Sequence, residues 1–266
     1  MNVKLDAAFA AAKAENRAAL IGYYPAGFPS AEESKRIIDA MVRGGVDIVE
    51  IGLPYSDPLM DGPVIQRAVE AALAAGIRID DVIDVVRHVA QSGAPTLVMS
   101  YWNPIERYGL ARFADALAAA GGVGVINPDL TPEEAADWTA ATDAAGIARV
   151  FLVAPSSTPE RLKIVSDATT GFLYAAALMG VTGERTSLSD AASVLVKRAR
   201  DITDRPIAVG LGVSTPEQAA RIATYADGVI VGSAFVRAVL DAPNADAALV
   251  AVEQLAKALA DGVRQR

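Results

Sequence analysis

Cysteine is absent from the 266 residues, and histidine occurs once, at position 88. The first absence removes disulfide frameworks and thiolate nucleophiles. The two together leave too few soft ligands for a catalytic transition-metal site, which needs several converging ones; an all-oxygen magnesium site stays open to the carboxylates. His88 falls inside the helical pattern "DDVIDVVRHVAQSG" and reads as an ordinary helix residue. No stretch reaches eighteen consecutive apolar residues, so no membrane span is expected. The opening "MNVKLDAAFAAAKAENRAAL" mixes acids and bases among its alanines, unlike the uninterrupted core of a secretory peptide. A basic stripe is also missing: the net charge is −8 and the lysines and arginines are scattered, which argues against nucleic acid and against an anionic membrane. These absences point to a cytoplasmic protein.

Short, Val- and Ile-rich apolar runs recur along the chain. Strands are expected at 19–26, 47–52, 96–101, 122–127, 148–154, 172–178, 206–212 and 228–235. Each is apolar on both faces, as strands buried on both sides should be. Helical patterns separate them, with starts such as Ser30 followed by Glu33, "TPEEAADW" and "TPEQAARIA". Strand and helix in alternation imply a parallel sheet with crossover helices. Eight such units in this length match a (β/α)8 TIM barrel occupying 1–266 as one domain; a doubly wound sheet is the alternative. Residues 2–15 form an extra helix, expected to cover the barrel's N-terminal end, and 244–264 the last one. Two spacings are long, after the second and sixth strands. They open with "LPYSDPLMDGP" and "MGVTGERTSLS", expected lid-like loops; the remainder of the first fits two helices near 62–76 and 79–92.

Barrel chemistry gathers at strand C-termini and the loops that follow them. None of Lys4, Lys13, Lys35, Lys163, Lys197 or Lys257 lies at an expected strand end, which argues against a Schiff-base lysine. Carboxylates remain. In "DIVEIG", period-two alternation puts Ile48, Glu50 and Gly52 on one face and Asp47 on the other. If the first face points into the barrel, Glu50 is an acid near the top of a closed core with no basic partner. Its pKa then moves upward, as suits a general acid/base. Asp57 and Asp61 sit in turn dipeptides, where an aspartate often only caps the turn; the pattern does not separate the two. Glycines mark the sixth, seventh and eighth strand ends, in "MGVTGERT", "GLGVSTPEQ" and "VGSAFV". Adjacent glycine-rich ends of this kind fit a phosphate bound by backbone N–H groups and a helix start. Read unaided, the chain is a TIM-barrel enzyme acting by carboxylate acid/base chemistry on a small phosphorylated substrate.

"GVDIVEIGLPYSDPLMDGPVIQ" resembles the signature of the tryptophan synthase α chain family. "GVTG", "GLGVSTPEQA", "ADGVIVGSAFV", "YYPAGFPS" and "WNPIERYG" match in order and spacing, so the resemblance spans essentially the whole chain. It implies retro-aldol cleavage of indole-3-glycerol phosphate to indole and glyceraldehyde 3-phosphate, a step of tryptophan biosynthesis. Carried over, Glu50 is the proton shuttle and Asp61 holds the indole N–H. Gly183, Gly212, Gly232 and Ser233 contact the phosphate. Tyr174, Thr182 and Leu211 lie near the ligand, with Thr182 able to orient Asp61, and Tyr23 and Ile65 line the indole pocket. The implied partner is a β chain that carries pyridoxal phosphate and takes the indole onward in an α2β2 heterotetramer; this chain itself is expected to hold no cofactor or metal. Asp57 and Pro58 become partner contacts.

Three positions depart from the family pattern. Leu178 stands where many members have arginine, Leu211 where a phenylalanine is frequent, and Met60 where alanine commonly precedes the loop aspartate. None alters Glu50 or Asp61; they bear on loop closure and its coupling to the partner.

Overall fold

The computed structural model describes residues 2–176, 185–210 and 212–265, with residues 185–190 as backbone only. Its strands are β1 (Ala19–Pro25), β2 (Ile48–Gly52), β3 (Thr96–Met99), β4 (Gly124–Ile126), β5 (Ala148–Val150), β6 (Leu152–Val153), β7 (Leu173–Ala176), β8 (Ile207–Gly210) and β9 (Gly228–Val231). All pairings are parallel, in the order β5-β4-β3-β2-β1-β9-β8-β7-β6. The end members β5 and β6 are one run of chain interrupted at Phe151. Its first half pairs with β4 and its second with β7, which closes an eight-stave TIM barrel.

Alternation along the strands divides the apolar residues between two cores. Val49, Ile51, Val98, Val125, Val209 and Val229 face outward and pack under the helices. Ile21, Ile48, Leu97, Ile126, Ala208 and Ile230 face inward and fill the barrel. The helix α1 (Val3–Ala14) inserts Leu5, Phe9 and Ala12 into that inner core from the N-terminal end. The Phe9 ring lies 5.6 Å from that of Phe172. The extra helix thus stoppers the barrel floor, as the sequence implies.

Twelve helices are described, and those after α1 are α2 (Ala31–Arg43), α3 (Pro63–Ala74), α4 (Ile79–Ala90), α5 (Trp102–Tyr108), α6 (Leu110–Ala119), α7 (Ala136–Ala145), α8 (Pro159–Ala168), α9 (Arg185–Arg200), α10 (Pro216–Ala223), α11 (Ser233–Leu240) and α12 (Ala245–Val263). The two helices expected in the long second gap are α3 and α4. The Ser30 side chain accepts the Glu33 N–H at the start of α2, and Thr215 and Gln218 form a reciprocal capping box on α10. His88 is a helix residue, as expected, and its Nε2 lies 2.9 Å from Asp39 Oδ2, tying α4 to α2.

Three expectations are corrected. The segment 228–235 is not all strand: it stops at Val231, and Ser233 already begins α11. Beyond Gly232 the buried residues Ala234, Phe235, Val236 and Val239 follow the helical period. The third strand ends at Met99, because Tyr101 is the N-cap of α5. "TPEEAADW" starts as a 3-10 turn at Pro132–Glu134, and α7 begins only after Ala135.

Candidate active site

Glu50 occupies the middle of β2, beside Tyr23 of β1 and Leu97 of β3 in register. It stands one inward position above Ile48, so its carboxyl rests on the apolar floor that α1 seals. The residue is 0% exposed, and neither carboxyl oxygen has a hydrogen-bond partner among the described residues. Burial without compensation pushes its pKa up to about 8. Asp47, three residues earlier on the opposite face, meets a contrasting environment. It accepts two bonds from the Arg17 guanidinium, at 2.6 and 2.9 Å, and a third from the Leu20 N–H. Asp47 is a structural clasp; Glu50 is an acid with nothing to hold.

A cavity of about 690 Å³ opens above Glu50 at the C-terminal ends of the strands. Glu50, Asp61, Tyr23, Ile65, Tyr174, Gly212, Gly232 and Ser233 all line it. Every predicted catalytic or substrate residue within the described structure is therefore brought to one place. Thr182, Gly183, Leu211 and Leu178 lie outside the described residues. A smaller recess of about 240 Å³ lies on the outer face near Pro29, Arg36 and Asn244 and contains none of the predicted residues.

The loop between β2 and α3 is fastened by a residue that the sequence reading did not select. Tyr101, at the end of the third stave, accepts the Met60 N–H at 2.9 Å and donates to Asp61 Oδ1 at 3.1 Å. Gln66 in α3 donates to the Asp61 carbonyl at 2.7 Å. Burial raises the Asp61 pKa, and the Tyr101 hydrogen bond partly opposes that shift. Asp57 is exposed and accepts a bond from the hydroxyl of its neighbour Ser56, outside the cavity wall. The loop's tip presents Leu59 and Met60 at 77% and 45% exposure. The one signal available in the sequence for Tyr101 was an aromatic hydroxyl placed where the third apolar run ends.

The tyrosines explain part of the glycine pattern. A β-carbon at Gly52 would collide with the Tyr23 hydroxyl, and one at Gly210 with the Tyr174 hydroxyl. These glycines make room for two phenols at the cavity wall near Glu50. Burial holds both phenols far above their ordinary pKa, hence neutral. Gly212 is different: its φ of +63° suits a residue without a β-carbon. It leads toward α10, while Gly232 is the N-cap of α11 and has no side chain to occupy the space ahead of that helix.

A family model described as "Tryptophan synthase alpha chain" matches residues 9–264. A tryptophan synthase alpha chain of Thermobifida fusca is 60% identical over 258 residues, 96% of each chain. One from Salinispora tropica is 54% identical over 98% of each. A solved structure of Mycobacterium tuberculosis tryptophan synthase superposes with a TM-score of 0.91 at 51% identity, covering 98% of both chains. The chain belongs to the tryptophan synthase alpha chain family. Across that family the fold persists at lower identity: the Legionella pneumophila tryptophan synthase alpha chain superposes with a TM-score of 0.88 at 33% identity. Membership of the tryptophan synthase alpha chain family makes the chain an α subunit of the lyase that serves tryptophan biosynthesis.

Proposed function

We propose that the cavity cleaves indole-3-glycerol phosphate to indole and glyceraldehyde 3-phosphate, with Glu50 and Asp61 as its catalytic groups. The observation that carries this reading is the unpartnered Glu50 carboxyl, buried at the bottom of a cavity whose far wall contains Gly212, Gly232 and Ser233. A carboxyl with a pKa of about 8 is mostly a neutral acid at neutral pH and has a proton to give.

The step balances with that one group. The Glu50 acid protonates indole C3, leaving a carboxylate and a cationic indoleninium ring. The carboxylate then takes the proton of the glycerol hydroxyl on the carbon bonded to C3. The C–C bond breaks as that carbon becomes an aldehyde, and its electron pair returns to the ring. The indole is released and Glu50 is an acid again. Asp61, at the loop above, accepts the indole N–H and stabilises positive charge as it develops on the ring. The substrate supplies its own electron sink, so the step needs neither a lysine imine nor a cofactor in this chain. Two carboxyls in two environments divide the work, one buried without partners and one bound to a phenol.

In the same reading, Tyr23 and Ile65 line the indole end, and Tyr174 spans the middle. Gly212, Gly232 and Ser233 receive the phosphate, with Gly183, Thr182 and Leu211 assigned to the ligand through the family resemblance. The chain works with a β chain that carries pyridoxal phosphate, as an α2β2 heterotetramer, with Asp57 and Pro58 on the side that meets it. The exposed Leu59 and Met60 beside them support such a contact. Cytoplasmic location belongs to the same proposal, since a phosphorylated substrate is retained inside the cell. The test is release of indole from indole-3-glycerol phosphate by the purified chain, alone and with a β chain. No indole in either arm overturns the assignment.

A further inference from the structure

Among the described residues the cavity wall contains one cationic side chain, Arg237, to which the reaction described above gives no role. Arg237 lies in α11 one turn beyond Ser233, on the same face. Long helical side chains lean back toward the helix N-terminus, over the residue four positions earlier. That direction carries the guanidinium toward Ser233 and Gly232. Asp241, another turn on, offers a carboxylate at a spacing that often forms an ion pair. Arg237 does not take it, and its guanidinium has no hydrogen-bond or ion-pair partner among the described residues.

The charges in the cavity make this placement consequential. Among the described residues its other ionisable carboxyls are Glu50, which is mostly neutral at neutral pH, and Asp61, and none of its remaining side chains carries a positive charge. A phosphate monoester brings close to two negative charges at neutral pH. The backbone N–H groups at the start of α11 supply partial charges only. A full positive charge whose planar fork can grip two phosphate oxygens is what the described part of the site otherwise lacks.

We propose that Arg237 determines specificity for the phosphorylated substrate: it folds over the phosphate held at the start of α11 and anchors it in ground and transition state alike. This rests on the reading of the cavity as the site of indole-3-glycerol phosphate cleavage.

The experiment compares wild type, Arg237→Ala and Arg237→Lys with indole-3-glycerol phosphate and with its dephosphorylated counterpart. Inorganic phosphate serves as an inhibitor and as a ligand in direct titration. A charge-assisted contact made throughout the reaction raises KM in Arg237→Ala by roughly 10- to 100-fold and changes kcat by less than about threefold. Inhibition by inorganic phosphate weakens in parallel, KM for the dephosphorylated substrate stays put, and Arg237→Lys recovers part of the loss. Unchanged KM and unchanged phosphate inhibition in Arg237→Ala overturn the proposal. So does an equal rise in KM for both substrates, which is the mark of a merely structural role. Absence of indole from the wild type would overturn the cleavage reading instead; phosphate titration of the two variants still tests Arg237 in that event.

Discussion

Between its ordinary value of 4.5 and about 8, the Glu50 carboxyl is protonated in the folded chain and ionised in the unfolded one. The folded state then binds the extra proton, so stability falls as pH rises through this window. At neutral pH the penalty is on the order of 3 kcal/mol, which Glu50→Gln removes because an amide does not ionise. Urea midpoints measured from pH 5 to pH 8 should show the variant gaining on the wild type as pH rises, with little difference at the acid end. The same variant should bind substrate and release almost no indole. A wild-type rate of indole release by Glu50→Gln would remove Glu50 from the chemistry.

Tyr101 makes a second residue-scale test. Tyr101→Phe keeps the ring, which lies 5.5 Å from that of Tyr55, but removes the hydroxyl that accepts from Met60 and donates to Asp61. The stability cost should be about 1 kcal/mol, with a drop of roughly tenfold in kcat/KM as Asp61 loses its position. Unaltered kcat/KM would mean that the loop holds Asp61 without help. These two residues also mark how far the sequence could be read. Glu50 was legible because inward and outward positions alternate within one strand, a purely local signal. Asp61 and Asp57 were equivalent turn aspartates by pattern. What separates them is a hydrogen bond to a tyrosine forty positions away, and no local pattern records that.

At the scale of elements, α1 closes the barrel beneath the acid. Phe9→Ala would leave a void beside Phe172 in the apolar inner core, at a cost of about 3–5 kcal/mol. Thermal or denaturant unfolding reads this directly, and a loss under about 1 kcal/mol would show that the floor refolds around the gap. The helix was found from the sequence, as was its position across the barrel's end. The start of α11 was not. "GVIVGSAF" is apolar throughout, and a short apolar run does not declare its period. Only the break at Gly232, with φ −128° and ψ −73°, turns Ser233 into the first residue of a helix. This boundary matters to function because it aims a helix N-terminus, and with it Arg237, at the cavity.

For the whole molecule, the alternation of eight apolar runs with helical patterns was enough to specify the barrel, since a parallel sheet with helical crossovers closes at that number. The site followed from the architecture: strand C-termini all face one way, so residues scattered from Tyr23 to Ser233 converge without any pairwise signal in the sequence. The proposed partnership also belongs to this scale. A β chain docking on the loop that presents Leu59 and Met60 would bury them and restrict Asp61 just behind. Addition of a β chain should therefore raise indole release by about tenfold or more, a coupling of ordinary size between two sites. An isolated chain already at its full rate would count against that coupling.

The interrupted fifth stave gives the barrel unequal stiffness. β1 is laced to β2 from Ile21–Ile48 to Pro25–Gly52, whereas β6 and β7 share a ladder of two residue pairs, Leu152–Tyr174 and Val153–Ala175, supplemented by bonds from the Tyr174 and Gly171 N–H groups to Phe151 and Arg149. Like a hoop with a buckle, the barrel yields first where its lacing is shortest. The acid thus stands on the unyielding side, and Tyr174 stands next to the buckle. Amide hydrogen exchange should therefore be faster along β6 than along β1 and β2, where Glu50 keeps its register with Tyr23. In the proposed reaction a bulky bicyclic ring would then enter and leave by flexing one wall, without loosening the wall that holds the proton.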